Sequence, residues 1–207
     1  MQFRRSALVS ALIFSLSGFL GFPLAAEEPV SDSFPCMVET SVWMIANLMP
    51  EPPYFYQFSF GYQLDDKNSL FLNGLTWTYP APTGIPMWDP QFESPDEEYP
   101  GYVRAFGLGI GYQRFVWKKL FASLYAIPFM QNFYASDDQF IQSGFQLYLQ
   151  TQLGYQIDLF KGRLSIKPAI YANYWPVNTN IPDAFQEKEK GWPNYSFEPH
   201  LNIAFHF

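Results

Sequence analysis

The chain of 207 residues holds one cysteine, Cys36. A lone cysteine cannot close an internal disulfide, so no disulfide framework organises the fold. Basic residues are scarce as well, 12 Lys and Arg against 19 Asp and Glu, for a formal charge of −7. The basic footprint that nucleic-acid binding needs is missing, and no nucleic-acid partner is expected. Histidine occurs only as His200 and His206. No metal-ligand cluster, phosphate-cradling loop or nucleophile elbow can be read, so neither a metal nor a cofactor is expected. Past Phe22 no apolar run approaches the roughly 18 residues of a spanning helix.

The start of the chain is different. Arg4 and Arg5 precede an apolar run from Ala7 to Phe22, and small residues then lead into an acidic stretch, "PLAAEE". Charge, apolar core and small residues in that order read as a secretory signal peptide over residues 1–26, cleaved after Ala26 or Ala25. Cys36 follows "SFP", without the small residue expected before a lipidated cysteine. The remaining chain fits one domain, read as an N-terminal periplasmic segment over 27–38 and a β-domain over 39–207.

Aromatic residues are abundant, 20% of the chain, with 22 Phe, 14 Tyr and 6 Trp. They recur with period two. From Ile141 to Ile157, seven of nine odd positions are aliphatic or aromatic, while the even positions are Gln, Gly and Tyr148. A helix would not keep that alternation. Pro53 to Leu64 sets Tyr54, Tyr56, Phe58, Phe60 and Tyr62 opposite Gln57, Ser59, Gly61 and Gln63. Tyr102 to Val116 sets Phe106, Leu108, Ile110 and Tyr112 opposite Gly107, Gly109, Gly111 and Gln113. Leu164 to Trp175 sets Leu164, Ile166, Ile170 and Tyr174 opposite Ser165, Lys167, Tyr171 and Asn173. Ser69 to Tyr79 matches less well, with Phe71, Leu75, Trp77 and Tyr79 as its apolar set. Leu120 to Tyr134 is apolar on both faces, and Tyr195 to Phe207 closes the chain.

Seven strands follow, joined by short turns at Asp65–Asn68, Trp117–Lys119 and Phe160–Arg163. These alternate with connections at Pro80–Gly101, Ala135–Gln139 and Pro176–Asn194, mostly long and rich in proline and charge. Short and long connections alternate in this way in outer-membrane barrels, whose strand number is even. The alternation calls for an eighth strand upstream, and Glu39 to Met49 is the candidate, with Thr40, Val42, Met44, Ala46 and Leu48 facing lipid. A short helix or lumenal plug is the rival for this segment. The expected fold is an all-β, closed antiparallel up-and-down transmembrane barrel of about eight strands, with short periplasmic turns and long extracellular loops. Bulky residues are expected to face lipid, and Gln, Gly, Asn and Ser to fill the lumen. The glycines of one strand leave room for large neighbours. Arg104 and Arg114 share the apolar parity but lie near strand ends, where they can snorkel.

The last residues, "LNIAFHF", resemble the C-terminal targeting signature of bacterial outer-membrane β-barrel proteins, a terminal aromatic preceded by apolar residues at alternate positions. The resemblance implies an outer-membrane location and a periplasmic encounter of the strand ending at Phe207 with the barrel-assembly machinery. Outer-membrane lipid and lipopolysaccharide would be the surroundings. It implies no activity.

Eight strands leave a lumen filled by side chains, so Gln146, Gln150, Gln152 and Gln156 are expected in a hydrogen-bonded interior, with Lys167 near Asn202 or His206. Glu198 and His200 share one face with Ser196, and the trio is the only candidate catalytic set, a weak one because it points inward. Binding candidates sit in loops: Asp89, Glu93, Asp96, Glu97 and Glu98 between Pro80 and Tyr102, and Trp192 in the mixed-charge stretch Pro182 to Asn194. The acidic loop lacks a calcium-loop pattern and reads as solvated. A non-enzymatic structural, surface-interaction or binding role through the loops is expected first. A lipid-A-modifying enzyme and a transporter of a small apolar solute are the alternatives.

Overall fold

The computed structural model describes residues 34–50, 52–86, 88–90 and 98–207. The expected leader, its cleavage point and residues 27–33 lie outside them. The strands are β1 (Cys36–Ser41), β2 (Tyr56–Gln63), β3 (Asn68–Tyr79), β4 (Gly101–Trp117), β5 (Leu120–Ala135), β6 (Phe140–Tyr155), β7 (Ile157–Leu159), β8 (Leu164–Thr179) and β9 (Tyr195–His206). A seven-residue helix, α1 (Asp183–Glu189), follows β8. No helix among the described residues is long and apolar enough to cross a membrane, which says nothing of strands.

All pairings are antiparallel and form one sheet in chain order from β6 back to β1, then on through β9, β8 and β7. Because β8 also pairs with β6, the sheet closes on itself. β7 continues β6 past Gln156, so the ring has eight strands. The expected alternation of connections holds, except that Ser136–Gln139 is itself a short turn. The other short turns, Cys36 and Phe207 gather at one end of the ring, and the long connections, with Ser136–Gln139, at the other.

Period two becomes two faces, as expected. Tyr56, Phe58, Phe60, Tyr62, Leu108, Ile110, Leu153, Ile170 and Phe205 point outward and are exposed, while Gln57, Ser59, Gln113, Gln146, Gln150, Asn173 and Asn202 point inward and are buried. β5, ambiguous by sequence, turns Phe121, Tyr125, Ile127, Phe129 and Phe133 inward.

Three expectations need correction. The eighth strand is not Glu39 to Met49. It spans Cys36–Ser41, so three residues assigned to the N-terminal segment belong to the ring. The chain then leaves the sheet as a 3-10 helix, Val42–Leu48, because the Ser41 side chain accepts the Trp43 N–H and caps the turn. The helix is not a lumenal plug either, since none of its residues is buried.

The apolar set of β3 is also inverted. Phe71 and Leu75 face inward, with Trp77 packed against the same cluster. Neighbouring glycines explain this: Phe71 lies in register with Gly61 on β2 and Gly111 on β4, and Leu75 with Gly107. A Cβ on Gly111 would come within 2.2 Å of the Tyr125 ring, and one on Gly107 within 2.7 Å of Ile127. The interior is therefore more aromatic than expected, with glycine accepted where rings need space.

The third correction concerns the wall. β9 pairs with β8 from Tyr195 to Phe205, but with β1 only from Asn202 to His206. Toward the long-loop end, Tyr195–Leu201 has no strand partner on that side. Side chains replace the ladder there. The Trp43 indole donates to the Pro199 carbonyl at 3.3 Å, and the Ser41 hydroxyl lies 2.7 Å from His200 Nε2. Proline suits that edge, where an N–H would find no ladder acceptor.

Candidate functional site

The ring interior divides along its axis. Near the short-turn end Lys167, fully buried on β8, is ion-paired with Glu39 on β1 and donates to Gln113 on β4 at 2.8 Å. Asn202 donates to the other Glu39 oxygen at 3.0 Å and to the Tyr171 hydroxyl. The Lys167 ammonium also lies 4.8 Å from the Phe121 ring centroid, a cation–π contact strengthened by desolvation. Below it, Ser165 donates to Asp158 and sits 2.8 Å from His206, and Lys119 pairs with Asp158 at 2.5 Å. Sequence reasoning placed Lys167 inward and near Asn202 or His206, and Lys167 does lie in register with Asn202, both meeting Glu39. That reasoning missed Glu39, whose inward parity depends on where β1 begins.

The glutamine expectation holds in part. Gln152 donates to Gln150, Gln150 to Asn173, and Gln156 to Asp158. Gln146 is buried and faces the same interior.

The catalytic candidates do not assemble as a triad. Ser196 donates to Glu198 at 2.7 Å, and Asn173 donates to both. His200 instead meets Ser41, at 2.7 Å from Nε2, and stacks on Tyr171 with ring centroids 4.0 Å apart. Its Nδ1 is buried with no hydrogen-bond partner. A base needs an orienting group on that nitrogen, and Glu198 is engaged elsewhere.

At the long-loop end α1 packs against the ring. Phe185 of α1 is fully buried in a cluster with Tyr99, Val103 and Phe133, with ring centroids 5.0 Å from Tyr99 and 5.1 Å from Phe133. Lys188 pairs with Glu98 at 2.6 Å, so the one acidic-loop candidate placed near the cap serves as a tether. The Glu189 carboxylate accepts from the Thr83 N–H at 3.4 Å, the Thr83 hydroxyl at 3.1 Å and the Tyr99 hydroxyl at 3.1 Å. Burial, only partly offset by these neutral donors, pushes Glu189 up to about 7. Asp89 lies in a turn, its N–H donating to the Pro86 carbonyl. Glu93, Asp96 and Glu97 lie outside the described residues.

Trp192, the other binding candidate, lines a cavity of about 270 Å³ together with Trp175, Pro176, Asn178, Glu189, Pro193 and Asn194. A bulge in β8 brings this lining together. Tyr174 pairs with Leu149 and Val177 with Leu147, two partners that lie one residue closer than the strand positions opposite them. The extra residue lets Trp175 and Asn178 both turn inward. Among the described residues no three His, Cys, Asp or Glu side chains are grouped as metal ligands.

No family model, no curated protein and no solved structure matches the chain.

Proposed function

We propose that the protein is an outer-membrane β-barrel of a bacterium, exported through a cleaved leader, and that it acts without catalysis at the surface through its long-loop end. One observation carries this reading: the outside of the closed ring is a continuous apolar face. Leu72, Leu108, Ile110, Leu124, Leu153 and Ile170 form a band, with Tyr62, Tyr112 and Trp117 toward the short-turn end and Tyr56, Tyr174 and Tyr195 toward the other, all exposed. Water-soluble monomers rarely expose so large a patch. An aliphatic band between aromatic girdles is the pattern of a strand-built membrane span. The packed interior supports a role at the surface over general diffusion.

On this reading the surroundings are outer-membrane lipid and lipopolysaccharide, and the strand ending at Phe207 is what the barrel-assembly machinery meets. The test is gel migration of the outer-membrane fraction with and without boiling. A folded barrel migrates differently until heated. A soluble periplasmic product with no heat-dependent shift would sink the reading.

A second reading, passage of a small apolar solute, is favoured by the missing ladder beside Tyr195–Leu201. Only side chains and the Val42–Leu48 helix close the wall there, which makes it the weakest line for sideways exchange with lipid. Lipid modification has less support, because Ser196 pairs with Glu198 while His200 meets Ser41 instead.

A further inference from the structure

We propose that the cavity beneath the cap binds a small primary amine in its ammonium form, carrying an apolar or aromatic body, between Trp192, Trp175, the Glu189 carboxylate and Asn178. The proposal rests on the surface reading only for the side of the membrane from which the amine would arrive.

The lining has one chemical character. Glu189 offers carboxylate oxygens whose partners, Thr83 and Tyr99, are neutral. Asn178 offers a buried Oδ1 that no donor reaches. A carboxylate withdrawn from most of its water is ordinarily matched by a cation, and Glu189 is half-buried. Among the described residues the charged groups around the cap do not supply that cation: Lys188 of α1 is paired with Glu98, Lys190 at its end is exposed, β8 contributes the uncharged Trp175, Pro176 and Asn178, and the phenols of Tyr99 and Tyr79 carry no positive charge. Two indoles complete the wall, and tryptophan is the best aromatic partner for a cation.

The choice of ligand follows by exclusion. A divalent metal would want more oxygen ligands than one carboxylate and one amide. A quaternary ammonium has no N–H for the orphaned Asn178 oxygen. A polyol would hydrogen-bond but leave the carboxylate charge unmatched. At about 270 Å³ the cavity has room for roughly nine waters, about the size of an amine of similar heavy-atom count.

The walls are preformed. Trp175 N–H donates to the Asn194 carbonyl at 3.0 Å, and Trp192 N–H to the Glu189 carbonyl at 3.1 Å. Gly84, with φ of +86°, lies so close to the segment that a Cβ there would sit 1.9 Å from the Pro193 oxygen. The indole walls therefore need little reordering, which favours affinity, and only the Asn178 amide, whose Oδ1 is covered, has to turn toward the ligand.

Full-length protein folded in detergent micelles is titrated calorimetrically with 2-phenylethylamine, at pH 5.5 and pH 8, with its heat-dependent gel shift recorded alongside. The proposal expects saturable binding that weakens at least tenfold at pH 5.5, because Glu189, with its value near 7, must lose its proton before pairing. It expects a loss of tenfold or more in Glu189→Gln and in Asn178→Leu, each still heat-shifted and so folded. Binding of 2-phenylethanol or of the trimethylated amine at equal strength would overturn it, as would affinity unchanged by pH or by Glu189→Gln. A heat-shifted chain that binds no amine overturns the site alone. Amine binding by a chain with no heat shift keeps the site and overturns the barrel reading.

Discussion

The two halves of the ring interior are built on opposite principles. The short-turn half holds Lys167, Glu39, Gln113, Asn202, Ser165 and His206, hydrogen-bonded to one another inside a complete eight-stranded ladder. The long-loop half holds Trp77, Phe129, Tyr148 and Trp175, packed ring against ring under a helical cap, beside a wall whose ladder has lapsed. The difference follows from β1. It is the shortest of the eight strands and so has the fewest ladder bonds to fix its register. A slip of one residue would turn Glu39 outward. The ion pair from Glu39 to Lys167 opposes that slip at the point where the ring closes, and it lies where β1 still reaches. Above Ser41 there is no strand to hold, and the interior relies more on aromatic packing, with the hydrogen bonds of Asn173, Ser196 and Glu198 beside it.

Breaking the ion pair should produce the largest effect. Removing one partner leaves a buried charge uncompensated, which typically costs about 3–5 kcal/mol. Lys167→Ala is expected to lower the unfolding free energy of the refolded chain, read from its urea titration, by that amount, with a matching fall in the midpoint. The paired replacement Lys167→Met with Glu39→Leu should recover most of the loss, because two apolar side chains bury without a charge penalty. A Lys167→Ala loss below about 1 kcal/mol would show that water reaches the site.

The cap tests the other half. Phe185→Ala removes a ring enclosed by Tyr99, Val103 and Phe133, and a buried Phe→Ala change costs about 3–5 kcal/mol. Here most of that should fall on cap docking, since α1 sits outside the ladder. The expected result is rapid trypsin cleavage after Lys188 or Lys190 with an almost unchanged urea midpoint. A midpoint that drops as far as with Lys167→Ala would mean that cap and ring unfold together.

Between the two halves lie the inward glycines. Gly111→Ala puts a methyl 2.2 Å from Tyr125, and overpacking costs about 1–3 kcal/mol. Tyr125→Leu should recover part of that cost when combined with it, because the two residues pair directly across β4 and β5. Additive losses in the double variant would place the strain elsewhere.

How far the sequence could be read follows the same division. Strict alternation at Ile141–Ile157 and Tyr54–Tyr62 identified strands and facing, because a face in contact with one medium admits one kind of side chain. β3 misled, since an interior that accommodates rings makes Phe71 and Leu75 inward residues, and only the glycines in register on β2 and β4 reveal it. β1 misled at its far end, where a serine cap redirects "VWMIANL" into a 3-10 turn of similar apolar pattern. Trp192 was readable as an exposed-loop aromatic. Its partners Glu189, Asn178 and Trp175 were not, because a bulge and a returning loop bring them together, and neither leaves a periodic trace.

The smallest expected effect concerns Glu189, where the two halves differ in how they treat charge. The Glu39 carboxylate has a cation, and among the described residues the Glu189 carboxylate has only neutral donors. An acid whose value rises from 4.5 in the open chain to about 7 in the folded cap favours the docked cap most when protonated. Docking should therefore be strongest below about pH 4.5, weaken as the pH rises through 7, and level off above. The full shift corresponds to about 3 kcal/mol at most, and with Glu189 partly open to water on the order of 1 kcal/mol should remain. Tryptic release of the cap, timed from pH 5.5 to 8.5 and corrected for the protease's own pH dependence, should accelerate severalfold across that window. Glu189→Gln should flatten the profile at its slow end. Acceleration that persists in Glu189→Gln would assign the pH sensitivity to another group, with the Lys188–Glu98 tether the next contact to alter.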